Sequence, residues 1–84
     1  MSHRLTPTPL QRRRLREIEK AWAELDASTQ ALVAAEGPVI ERLLAGETVG
    51  DDEARRIRDL RTAVYEKRQV LRELLAALDQ PDPA

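Results

Sequence analysis

The sequence predicts an all-α fold: an antiparallel, coiled-coil-like helical hairpin, its first helix kinked or broken at Gly37-Pro38, that dimerises into a four-helix bundle. Three observations carry this expectation. Leu15, Ile18, Trp22, Leu25, Thr29 and Leu32 recur at alternating spacings of three and four residues, and the phase resumes at Val39 and Leu43. Ile57, Leu60, Val64, Lys67, Leu71, Leu74 and Leu78 repeat the pattern. Such spacing lays one apolar seam along each helix. Between the runs stands Gly46-Glu47-Thr48-Val49-Gly50, a loop short enough to fold the chain back on itself.

Residues 1–8 read as an extended lead-in ending in Thr6-Pro7-Thr8-Pro9, with Thr8 as N-cap and Pro9 at the first helical position. The first helix is expected over 9–45. Within it Pro38 removes one backbone hydrogen bond and crowds the carbonyl of Ala34, which predicts a kink. The apolar phase survives, because Leu32 to Val39 is one seven-residue step, but the seam slot between them falls on Glu36. The alternative is a separate short helix from Pro38 to Ala45. After the loop at 46–50, Asp51-Asp52-Glu53 opens a helix over 51–79, with Asp51 as N-cap and further carboxylates complementing the helix dipole. Pro81 and Pro83 end it, leaving a frayed tail over 80–84.

A turn centred on Thr48 makes the numbers of facing residues sum to about 96. Ile18 then meets Leu78, Trp22 meets Leu74, Leu25 meets Leu71, Leu32 meets Val64 and Val39 meets Ile57. Thr29 shares a polar layer with Lys67, and Glu36 opposite Leu60 is the one poor match. Charge agrees with this pairing. Residues 21–54 hold one basic and eight acidic side chains, and residues 55–72 hold seven basic and two acidic. Folding at Thr48 sets these opposite segments side by side.

The chain has 84 residues, no cysteine, one histidine, one tryptophan, one tyrosine and no phenylalanine. Its core is therefore aliphatic. Chains this small often need disulfides, a metal or self-association. The first is excluded by composition and a conventional zinc site nearly so, which leaves self-association. Val33, Ile40, Val70 and Leu75 widen the apolar stripe beyond the seam, while Ala21, Ala35, Ala63 and Ala77 flatten its flanks. Two helices cannot cover so broad a stripe, hence the four-helix bundle. The longest apolar runs, Ala31–Ala35 and Leu74–Leu78, are too short for a membrane span, and residues 1–16 lack the apolar region of a signal peptide. A cytoplasmic location follows as the expectation.

No enzyme is expected, and no cofactor or metal. There is no Glu-x-x-His pair, no Gly-x-Ser-x-Gly elbow and no glycine-rich phosphate loop. His3 reads as an incidental surface residue, and Asp51-Asp52-Glu53 as helix capping rather than a calcium loop. Leu15-Arg16-Glu17-Ile18 resembles the opening of small helical chorismate mutases, but the spacing around the arginine differs and no matching lysine follows. Lys67 in the seam reads as a register device with its head at the edge, and Trp22 as a core anchor or, alternatively, a partner-binding hot spot.

The strongest local charge signal is Arg12-Arg13-Arg14 with Arg16. In the expected register Asp79 faces Glu17, so Pro9 to Arg16 overhangs the second helix and offers these arginines to a protein partner. The basic end could instead address nucleic acid, a weaker alternative given the acidic overall balance and the absence of nearby aromatics. The favoured function is a non-enzymatic protein-interaction module, an adaptor, regulator or inhibitor, with Arg12, Arg13, Arg14, Arg16 and Trp22 as its partner-binding residues. The stretch Ile40-Glu41-Arg42-Leu43-Leu44-Ala45-Gly46-Glu47, with Leu60 and Arg68-Gln69-Val70-Leu71, resembles flagellar and type III export chaperones. That resemblance implies a helical hairpin serving as a secretion chaperone.

Overall fold

Helix α1 spans Pro9–Leu44 and helix α2 spans Asp51–Leu78, packed against each other as a hairpin. The structure, a computed structural model, describes residues 6–80, so the expectations for His3 and for the tail beyond Gln80 lie outside it.

Each end of α1 has a chemical cause. Thr8 caps the first turn, its Oγ1 accepting from the Gln11 backbone at 3.1 Å, while Gln11 Oε1 accepts from the Thr8 backbone at 2.9 Å. This reciprocal pair, with Pro9 following, satisfies donors that the helix start leaves free. At the other end Gly46 adopts φ +83°, and the Glu47 and Gly46 amides donate to Arg42 and Leu43 carbonyls at 2.9 and 3.0 Å. Only glycine takes that backbone conformation without strain, so α1 stops here in a Schellman motif.

The helix runs unbroken through Gly37-Pro38, and the separate short helix is not formed. Ala34, whose carbonyl loses its donor, is exposed together with Gly37 and Pro38. Water can therefore satisfy the group that proline leaves free. At the start of α2 the N-cap is Gly50, not Asp51, and it makes no side-chain cap. Asp51, Asp52 and Glu53 occupy the first turn instead, where their charge still opposes the positive end of the helix dipole.

Ile18, Ala21, Leu25, Val64 and Leu71 are buried, and Leu32, Leu74 and Leu78 pack against them. On α2 the seam is the expected one, with Ile57, Leu60, Lys67, Leu74 and Leu78 half-buried beside Val64 and Leu71. On α1 only half of it is. Ile18, Leu25, Leu32 and Val39 face inward as expected, but their companions are Ala21, Ser28, Ala35 and Arg42. Leu15, Trp22, Thr29 and Leu43 are exposed, one step around the helix from those positions. Trp22 is 54% exposed and is not a core anchor. The expected polar layer of Thr29 with Lys67 is likewise not formed: Thr29 Oγ1 donates to its own helix, at the Leu25 carbonyl, over 2.8 Å.

The rotation of α1 has a physical reason. The expected phase would seat Glu36 in mid-seam opposite Leu60, burying a carboxylate against a leucine. The observed phase substitutes small Ala21, Ser28 and Ala35, which let the helices approach, and lifts Glu36 to the edge. There Glu36 Oε2 accepts from Arg61 Nη2 at 2.9 Å.

The register itself stands close to expectation. Arg42 pairs with Glu53, Glu36 with Arg61 and Glu24 with Lys67, and Arg14 donates to the Gln80 carbonyl at 3.3 Å. These pairs have residue numbers summing to 95, 97, 91 and 94. The overhang of α1 is shorter than expected, however. Arg14 already touches the end of α2, and Gln11 and Leu15 share a surface cavity with Leu78 and Asp79. No helix among the described residues is long and apolar enough to cross a membrane.

Candidate interaction surface

The hairpin is thin, about 64 × 27 × 14 Å, so each helix has two flanks beside the seam. Contacts between the helices sort those flanks. On one side Glu36 meets Arg61, Leu43 lines a cavity with Ala54, Arg58 and Arg61, and Leu15 lies near Asp79. On the other side Glu24 meets Lys67, and Pro38 lines a cavity with Arg56. The first is termed the tryptophan flank and the second the lysine flank. This sorting is what an antiparallel pair imposes, because the position following each seam residue on one helix meets its counterpart on the other.

The large apolar side chains are divided unequally. α1 places Leu15, Trp22, Val33, Ile40 and Leu43 on the tryptophan flank, each 44–63% exposed. α2 adds Tyr65 and Leu75 on the same side, at 60% and 42%. The lysine flank carries Val70 and otherwise small residues such as Ala31, Ala63 and Ala77. Scattered exposed leucines are ordinary, whereas so many large apolar side chains gathered on one flank mark a contact surface.

Charge is divided as well. On the tryptophan flank α1 carries exposed Glu19 and Asp26, with half-buried Glu36. The facing edge of α2 carries exposed Arg58, Arg61, Arg68 and Arg72, interrupted by Tyr65, again at spacings of three and four. The sequence expectation counts these arginines within the basic segment 55–72 that faces acidic α1, but its partner-binding arginines are Arg12, Arg13, Arg14 and Arg16 alone. The signal of the α2 stripe is present in the spacing, one step around the helix from Ile57, Leu60, Val64, Lys67 and Leu71.

No protein-family model, curated protein or solved structure matches this chain. The surface must be read from its own chemistry.

The residues expected to bind a partner do not form one site. Arg12, Arg13 and Arg16 line a shallow depression with Pro9 on the face of α1 away from α2. Arg14 turns the other way, to the Gln80 carbonyl, where a cation complements the negative end of α2. Trp22 belongs to the tryptophan flank. Lys67 sits in the seam with its Nζ 3.2 Å from Glu24 Oε2, both side chains near 40% exposed, so its head reaches water at the edge. Among the described residues, no group of three or more carboxylates, histidines or cysteines stands close enough to hold a metal ion.

Proposed function

We propose that the chain is a non-enzymatic protein-interaction module, an adaptor, regulator or inhibitor, that acts as a homodimeric four-helix bundle. The observation that carries this reading is the exposure of Trp22 among other large apolar side chains on one flank of a hairpin that, among the described residues, buries only five. A core that small leaves little margin against the entropy of folding, and a large apolar flank left in water adds nothing to it. Covering that flank supplies the missing burial. Arg12, Arg13 and Arg16 then remain on the outside of the bundle as a cationic end for an acidic patch on a protein partner.

Light scattering coupled to size exclusion tests the first half: the expected mass is twice the 9.5 kDa of the chain. A monomer at micromolar concentration that keeps full helicity contradicts it. Charge reversal at Arg12, Arg13 and Arg16 tests the second half. It should leave helicity intact and weaken capture of the native partner, more so at low salt. The second reading, nucleic-acid binding, is favoured by the stripe of Arg58, Arg61, Arg68 and Arg72 with Tyr65. It requires a steep salt dependence of binding to duplex or single-stranded oligonucleotides.

A further inference from the structure

We infer that a second copy of this chain covers the tryptophan flank, with α1 of each protomer lying over α2 of the other and both loops at the same end. The inference rests on the homodimer reading above and adds the face, the helix pairing and the direction.

Charge selects the occupant. On this flank α1 carries the exposed carboxylates Glu19 and Asp26, besides Glu36 paired with Arg61, and α2 carries Arg68 and Arg72 at the same level of the hairpin, with Asp79 the one carboxylate just past its end. A twofold axis parallel to the helices brings α1 of one copy over α2 of the other. Asp26 then approaches the opposite arginines, and Trp22 comes to the level of Leu75 and Arg72. Because the operation is twofold, the same contacts form twice. A twofold axis across the helices instead stacks α1 on α1 and α2 on α2, setting acids against acids and arginines against arginines. Like charges so opposed are destabilising. A polyanion would satisfy the arginines but would meet Glu19 and Asp26 along the neighbouring helix.

Area is sufficient. A face of 64 by 27 Å is about twice the ~800 Å² that each partner contributes to a standard interface. Apolar and charged side chains alternate along it, with Trp22, Leu43 and Leu75 beside the Glu36–Arg61 pair next to the seam and Val33, Ile40 and Tyr65 among Glu19, Asp26, Arg58 and Arg72 further out. Every neighbouring helix pair in the resulting bundle is antiparallel, as in the hairpin itself.

Two measurements test the arrangement. Glu19→Arg with Asp26→Arg gives one full-length variant, and Arg68→Glu with Arg72→Glu gives another. Each alone should dimerise at least tenfold more weakly than the natural sequence, because the charges of its α1 and α2 now match in sign. Mixed together they should form a heterodimer of near-natural affinity, since one half of the interface stays native and the other is reversed on both sides. Self-association of either variant at undiminished strength overturns the helix pairing.

The direction is read by a spin label on Thr48→Cys, a unique thiol in a chain without cysteine. Loops at one end place the labels within about three helix spacings of 8–10 Å, under ~30 Å. A separation near the 64 Å length of the hairpin overturns the arrangement while leaving the homodimer in place. A monomeric natural protein removes both. A monomer whose oligonucleotide binding is abolished by Arg68→Glu with Arg72→Glu assigns the face to nucleic acid instead.

Discussion

Helix α2 turns inward the residues its sequence singles out, and helix α1 does so for only half of them. On α2 the positions after each seam residue are mostly charged, among them Arg61 and Arg68, so only one phase buries an apolar set. On α1 two phases compete. Ile18, Leu25, Leu32 and Val39 belong to both, and the choice lies between Ala21, Ser28, Ala35 and Arg42 on one side and Trp22, Thr29, Glu36 and Leu43 on the other. The bulkier set looks like the better core when α1 is considered alone. The folded hairpin takes the smaller one, because it keeps Glu36 out of the seam and leaves Arg42 beside Glu53 at the loop end. Apolar spacing therefore specifies a face only when the adjacent face is forbidden.

The difference between the helices can be broken most forcefully on the side where sequence and structure agree. Among the described residues Leu71 is the most deeply buried, at 5% exposure. Leu71→Ala should lower stability by about 2–5 kcal/mol, because it opens a cavity in the one core the hairpin has. Thermal denaturation followed by circular dichroism reads the loss; a change of a few tenths of a kcal/mol would mean that the seam of α2 lies elsewhere.

Ala21→Leu sharpens the contrast on α1. Ala21 is buried at 6% exposure against α2, so a larger side chain must push the helices apart, at a cost of roughly 1–3 kcal/mol. If Trp22 occupied the seam instead, Ala21 would sit on its flank and the substitution would be neutral or mildly stabilising. The sign of the change in melting temperature decides between the two phases.

Much of the fold is legible in the sequence for reasons of local chemistry. Thr8-Pro9 starts α1 and Gly46 ends it; the loop and the two seams fix a hairpin whose register lies within a few residues of expectation. The phase of α1 was not legible, since it depends on which side chain faces Glu36 across the interface, a tertiary fact. The N-cap of α2 was misplaced by one residue because aspartate is a good cap and also a good first-turn residue. The candidate surface was legible only in part. Val33, Ile40 and Leu75 widen the apolar stripe in the sequence itself, but Trp22 reads as a seam residue when α1 is taken alone, and the arginine spacing of α2 acquires a face only once the two helices are paired.

Smaller effects are expected at the ends and edges of the seam. Gly46→Ala should cost about 1–2 kcal/mol from the left-handed backbone alone, since nothing crowds an added Cβ there. An unchanged melting temperature would show that the turn relaxes to another conformation. Lys67→Leu should raise stability by no more than ~1 kcal/mol: the added apolar contact outweighs an exposed ion pair with Glu24 worth a few tenths. A clear loss of stability on that substitution would give the pair a larger role than its exposure suggests.

The exposed tryptophan is itself the reporter of what covers the outer flank of α1. Trp22 is the only tryptophan in the chain, so its fluorescence comes from one known place. With the natural protein at micromolar concentration, a second copy on the flank should shield Trp22 from acrylamide and shift its emission to the blue. Dilution to the point where light scattering shows monomer should remove the shielding in step with the fall in mass. Emission and quenching that match free tryptophan in a protein of dimeric mass would contradict the account, because the chain would then be associating through some other face.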